Sequence, residues 1–139
     1  VVAFGAPEPA HDYEPFVQAS PFTYLAGLRE PDVALVLVKR GGATAGTIFV
    51  TPSDPAREVW SGARVGLDGA RRRTGLAARP SAELPAVLDS LAALGLPFHV
   101  VGDVETATAR GEGVRTRDEQ RVDALRRAHP GLRVAPATH

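Results

Sequence analysis

Cysteine is absent from this 139-residue chain. That excludes a disulfide framework, a thiolate metal site and a cysteine nucleophile. It says little about compartment. Methionine is absent too, and the chain opens directly on the apolar "VVAFG", so it is expected to be an excised piece of a longer protein. Net charge is missing as well: 16 basic residues balance 16 acidic ones. A basic surface is what nucleic acid and anionic membranes usually select, so neither is expected as a partner. No apolar run approaches the ~20 residues needed to cross a bilayer. Lysine occurs once among the 16 basic residues, which reflects base composition rather than function.

What remains has the balance of an ordinary globule, with 44% hydrophobic and 23% charged residues. The length fits one domain over residues 1–139. Residues 1–5 read as a short buried strand. The run Val33 to Val38 is the clearest strand, and its continuous apolar character calls for helices on both faces of the sheet. "GGATAG" reads as a loose glycine-bearing loop, and "TIFVT" completes a hairpin. "PSDPAREVWSG" reads as a short helix capped by Ser53 or Asp54, and "GLDGARRRTGL" as a helical turn or two. "SAELPAVLDSLAALG" is the strongest helix, with Ser81 as cap and Leu84, Val87, Leu88, Leu91 and Leu94 as its buried stripe. A strand at "LPFHVVGD", a helix with Val122 and Leu125 inward, and a last strand at "LRVAP" follow. Residues 103–116 fit no single element. The pattern is α/β, with a mixed sheet flanked by helices.

Catalytic motifs are scarce. The four histidines, His11, His99, His129 and His139, lack metal-ligand spacing. His99, in a strand, reads as a satisfied structural histidine, and His129 suits a helix C-terminus. There is no nucleophile elbow, P-loop or dinucleotide fingerprint. "ARRRTG" at 70–75 reads as a solvated helix face, or else as a contact for phosphate or an acidic partner. Aromatics are the unusual feature. Phe22 and Tyr24 fall on one face if "PFTYLAG" is extended. Trp60, the sole tryptophan, sits among Ser61, Gly62 and Ala63. It reads either as core filler or as an accessible ring at an interface or pocket.

Two motifs in order carry a resemblance. The first is Gln18 and Ser20, Phe22 and Tyr24, Gly27, then Glu30 and Pro31. After Ile48, Phe49 and the acidic turn at Asp54 comes the second: Glu58, Trp60, Gly62, Arg64 and Gly66. Together they resemble the N-terminal domain of Xaa-Pro aminopeptidases, the aminopeptidase P family, closely over residues 1–101. The resemblance implies a mixed sheet of about six strands in a ribonuclease H-like arrangement. It implies a parent with a separate C-terminal pita-bread domain that this chain does not contain, holding two divalent metals, commonly manganese, that activate hydroxide against the Xaa-Pro bond. No metal ligand and no catalytic residue is expected in this chain, and no peptidase activity from it alone. Its expected partners are that catalytic domain, further copies in a dimer or tetramer, and peptide substrates, in the cytoplasm.

In tetrameric members of the family the motif tryptophan reaches a neighbouring subunit's active site and walls the substrate pocket, so the resemblance gives Trp60 that role in trans. An acidic loop residue sometimes does likewise, and His11 or Asp12 is the candidate. The sequence departs from the family there, with Glu14 inserted and Val17 in place of arginine. Prolidase, a dipeptidase with a similar segment, and a stand-alone peptide-binding module are the alternatives. A nuclease on this fold would want an acid on the first central strand, which "VVAFG" lacks.

Overall fold

The computed structural model describes residues 1–6, 18, 20–56, 58, 64–102 and 116–136, with the backbone alone at 20, 21, 24 and 136. In chain order its elements are β1 (Val2–Phe4), α1 (Ser20–Ala26), β2 (Ala34–Arg40), β3 (Ala43–Val50), α2 (Gly66–Thr74), β4 (Ala77–Pro80), a 3₁₀ turn (Ser81–Glu83), α3 (Leu84–Ala93), β5 (Phe98–Val101), α4 (Arg117–Ala128) and β6 (Val134–Pro136). The strands form one six-stranded sheet in the order β4-β3-β2-β1-β5-β6. It is mixed: β2 is antiparallel to both β1 and β3, while the β1–β5, β3–β4 and β5–β6 pairs are parallel.

Side chains alternate across a strand, so each inner strand feeds both faces. Val2, Phe4, Ala34, Val36, Phe49, Phe98 and Val100 pack on one side with Leu84, Leu88 and Ala92 of α3 and Val122 and Leu125 of α4. Ala3, Val33, Leu35, Ile48 and Val50 pack on the other with Phe22 and Leu28, and with Ala70 of α2. The unbroken apolar run in β2 is thus buried from both sides, as a sheet clad by helices requires.

Several local expectations need correction. The β2–β3 connection is no loose loop. Arg40 pairs with Ala43, leaving a two-residue turn of Gly41 and Gly42 at φ 54° and 85°. Two positive-φ residues give the turn whose twist matches a hairpin, so β3 starts directly afterwards. "SPFTYLA" is helical rather than extended, so Phe22 and Tyr24 do not share a face by strand alternation. Ser20 and Pro21 open it, a start signal, and Gly27 at φ 69° stops it with its N–H on the Thr23 carbonyl at 2.9 Å. α2 runs nine residues and ends at Gly75, which adopts φ 71° and donates to the Arg71 carbonyl.

Ser81 does not cap α3. It opens the 3₁₀ turn, and the α3 N-terminus carries no side-chain cap. Leu94, just past the end of the helix at Ala93, is 60% exposed: the buried stripe runs Leu84, Leu88 and Ala92, four apart, and a residue two positions past Ala92 faces the other way. α4 is bounded by a capping box. Thr116 Oγ1 accepts from Glu119 N–H at 3.1 Å, and the Glu119 carboxylate accepts from Thr116 N–H at 2.9 Å.

Candidate functional site

β1, β3 and β5 end at one edge of the sheet, since Phe4 pairs with Ala34, Ala34 with Phe49, and Ala3 with Val101. From that edge the chain runs on from β1 toward the segment holding His11 and Asp12, and from β3 toward the one holding Trp60. Those three residues lie outside the described residues. Their flanks do not.

Gln18 is the first fixed point. Its Oε1 accepts from Ala6 N–H at 2.7 Å, just past β1, while Nε2 donates to the carbonyls of Leu28 at 3.2 Å and Glu30 at 2.9 Å. One amide therefore ties the exit of β1 to the link between α1 and β2. Only a group offering both donor and acceptor can do this. Gly5 lies so close that a Cβ there would stand 2.8 Å from Val33 Cγ2 and 3.1 Å from Gln18 Oε1.

The second fixed point brackets residues 59–63. Asp54 starts the helical turn, its carboxylate accepting from Ala56 N–H at 3.1 Å and its carbonyl from Glu58 N–H at 3.0 Å. Glu58 Oε1 then accepts from the Arg64 N–H at 2.9 Å and from the Ser53 hydroxyl at 3.0 Å. The next N–H, of Val65, donates to Glu30 Oε1. Gly66 follows at φ 66°, where a Cβ would lie 3.2 Å from Ser53 Cβ. Two glutamates thus hold two consecutive N–H groups at the entrance to α2, where negative charge also suits the helix dipole. Glu30 Oε2 is buried without a partner among the described residues.

A third cluster locks α4 to the same edge. Arg117 pairs with Asp32 and donates to the Gly5 carbonyl at 2.8 Å. Asp118, 6% exposed, lies 3.6 Å from Arg117 Nε and 3.8 Å from Arg121, whose guanidinium stands 5.0 Å from the Phe4 ring centroid. Burial, then the charge of Arg117, pushes the Arg121 pKa below its ordinary value, against the opposing pull of Asp118 and Asp32. These are the bonds of a joint, with no nucleophile set beside a base.

Of the histidines, His99 and His129 are described, and both stay apart from this edge. His99 is exposed on β5, because the strand turns Phe98 and Val100 inward and the residue between them outward. It borders an apolar cleft of about 420 Å³ between Val1, Leu37, Leu91 and Pro97. His129 ends α4 and meets Asp89 at 3.3 Å. Arg71 of the basic cluster pairs with Asp68 at 2.9 Å, and Arg72 and Arg73 are exposed, the pattern of a solvated face. Among the described residues no group of three or more His, Cys, Asp or Glu could hold a metal ion, and no helix is long and apolar enough to cross a membrane.

Sequence reasoning alone gave Gln18 and Glu30 no physical role and missed Arg117. The hydrogen bonds named above for these three join residues 10 to 112 positions apart, beyond any periodic signal. The capping box was visible as Thr-x-x-Glu at 116–119.

Comparison with known proteins adds the wider frame. The family profile "Aminopeptidase P, N-terminal domain" matches residues 4–96. A Haemophilus influenzae Xaa-Pro aminopeptidase is 38% identical over 91 residues, 62% of this chain and 20% of that protein. Human Xaa-Pro aminopeptidase 3 is 43% identical over 65 residues, 44% of this chain and 13% of its own. Aminopeptidase P from Escherichia coli superimposes with a TM-score of 0.69 at 29% identity, covering 99% of this chain and 31% of that one. The chain thus spans a fifth or less of these two curated relatives and about a third of that solved one.

Proposed function

This chain belongs to the aminopeptidase P N-terminal domain family, and on that premise we propose that it is the non-catalytic domain of a proline-specific metalloaminopeptidase, serving assembly of the enzyme and the shape of its substrate pocket. The parent removes the first residue of Xaa-Pro peptides. Water adds to the carbonyl ahead of proline, the C–N bond breaks, and the proline nitrogen takes a proton. This chain's share is to present Trp60, with His11 or Asp12 as a second contact, to the pocket of a neighbouring subunit in a dimer or tetramer. A rigid ring limits how much peptide enters without making or breaking a bond.

One observation carries this reading. Three polar side chains of the shared motifs, Gln18, Glu30 and Glu58, bond to backbone groups at a single edge of the sheet. Residues used this way hold loops in place. The described side chains do not fit a metal centre, so this reading assigns the two divalent metals, commonly manganese, to a catalytic domain of the parent. That domain, a cytoplasmic location and peptide substrates belong to the same proposal.

The test is a paired assay on Ala-Pro peptides with manganese added. The full-length parent is expected to release the N-terminal residue, and the 139-residue chain to release none. Cleavage by the chain itself would overturn the reading, and so would a parent without Xaa-Pro activity.

A further inference from the structure

We propose that the groove between α3 and α4 binds a small free monocarboxylate with an apolar body, and that Arg121 takes its carboxylate. The proposal goes beyond the peptidase reading and stands independently of it.

The groove holds about 340 Å³, within the roughly 300–1,000 Å³ of small-molecule pockets. Leu84, Pro85 and Leu88 of α3 form one wall, and Ala124, Leu125 and Ala128 of α4 the other. Leu84, Leu88 and Leu125 belong to the buried core, so the core holds them in place. Ala124 and Ala128 lie one helical turn apart, and their short side chains leave the space open. Sites of this kind are mostly apolar with a few placed polar groups, and Arg121 is the only basic residue lining this one.

The Arg121 guanidinium suits an anion. It stands 5.0 Å from the Phe4 ring centroid, a cation–π contact that supports it. Asp118 Oδ1 lies 3.8 Å away, beyond hydrogen-bond reach. Among the described residues Arg121 makes no hydrogen bond, although a guanidinium offers a fork of N–H donors that matches a carboxylate. Burial, and then the like charge of Arg117, disfavour its charged form, and a carboxylate set against it would favour that form. Asp89 stands at the far end of the groove, where it meets His129, roughly 12 Å along α4 from Arg121 at 1.5 Å per residue. A second acid group there would meet like charge, so the site selects a single one. The competing role for Arg121 is structural, as partner of Asp118 and Phe4. That role affects melting and makes no demand for a ligand.

Two-dimensional amide NMR of the 139-residue chain, titrated with hexanoate, tests the proposal. Shifts are expected along the facing sides of α3 and α4, with a Kd on the order of 1 mM for so small a ligand. Hexanol lacks the charge, acetate lacks the apolar body, and adipate brings a second carboxylate to Asp89. Each is expected to bind roughly 10-fold more weakly. An acetylated Ala-Ala-Leu peptide carries the same chemistry at a chain end. It is expected to bind more weakly too, because its peptide groups would lie unpaired against the apolar walls. Arg121→Gln is expected to lose about 10-fold or more, and Arg121→Lys less, since it keeps the charge without the fork. Ala124→Leu fills the groove without touching Arg121, is expected to lose roughly 10-fold, and keeps the test open should an arginine variant fail to fold. Arg72→Gln, on the helix α2 that packs against the other face of the sheet, is expected to bind like wild type. Hexanol binding as tightly as hexanoate, undiminished binding in folded Arg121→Gln and Ala124→Leu chains, or an equal loss in Arg72→Gln would overturn the proposal. Tighter binding of the peptide would make the ligand a chain end and overturn the free-acid assignment. No outcome depends on peptide hydrolysis, so the peptidase reading and this site can fail separately.

Discussion

The guanidinium of Arg117, in the first turn of α4, donates to the carbonyl of Gly5 at 2.8 Å, across 112 residues of chain. The same group pairs with Asp32, which holds φ 58° as the chain enters β2. A planar fork can serve a carbonyl and a carboxylate at once, whereas an ammonium offers no such fixed spread. Arg117→Ala is expected to cost about 2–3 kcal/mol, since charge-assisted bonds are worth about 1.5–3 kcal/mol. Arg117→Lys should recover less than half of that. Urea unfolding at low and high salt checks both, and a lysine variant as stable as wild type would contradict the fork.

Gln18 makes a sharper case because its amide must both give and take. Glu at this position would place carboxylate oxygen against the Leu28 and Glu30 carbonyls that Nε2 now serves. Leaving buried carbonyls without donors costs about 1–3 kcal/mol each. Gln18→Glu is therefore expected to be more damaging at neutral pH than Gln18→Ala, by about 1 kcal/mol or more. Chemical denaturation of the two variants side by side decides it.

Gly66 and Gly75 share a left-handed backbone, at φ 66° and 71°, but differ in their surroundings. A methyl at Gly75 meets nothing within 4 Å, while one at Gly66 meets Ser53 Cβ at 3.2 Å. Gly75→Ala is expected to cost about 1–2 kcal/mol from backbone conformation alone. Gly66→Ala should exceed it by roughly 1 kcal/mol of crowding. Thermal melts of the two variants isolate the packing component, and equal losses would mean that Ser53 yields freely.

The elements written in local pattern were legible. Val33 to Val38 announced a doubly buried strand, and Val122 and Leu125 announced the inner face of α4, because periodicity records burial directly. Misreadings came where a single residue outweighs a pattern. Gly27 converts an apparent strand into a helix with a stop, Gly41 and Gly42 shorten a loop to a turn, and Leu94 falls one step beyond the end of its helix. Of the candidate site, motif spacing singled out Glu30 and Glu58 but not their work. A carboxylate capping an N–H 35 residues away leaves no trace in neighbouring sequence. Trp60, His11 and Asp12 lie outside the described residues, so the roles proposed for them rest on family membership.

The most direct measurement is steady-state hydrolysis of Xaa-Pro peptides by the full-length parent carrying Trp60→Ala, together with its melting temperature. If this domain lends the ring to a substrate pocket, KM is expected to rise about tenfold, equivalent to about 1.4 kcal/mol of binding, with kcat less affected and melting essentially unchanged. Unaltered kinetics with a collapsed melting temperature would instead make Trp60 a core residue and contradict the pocket role.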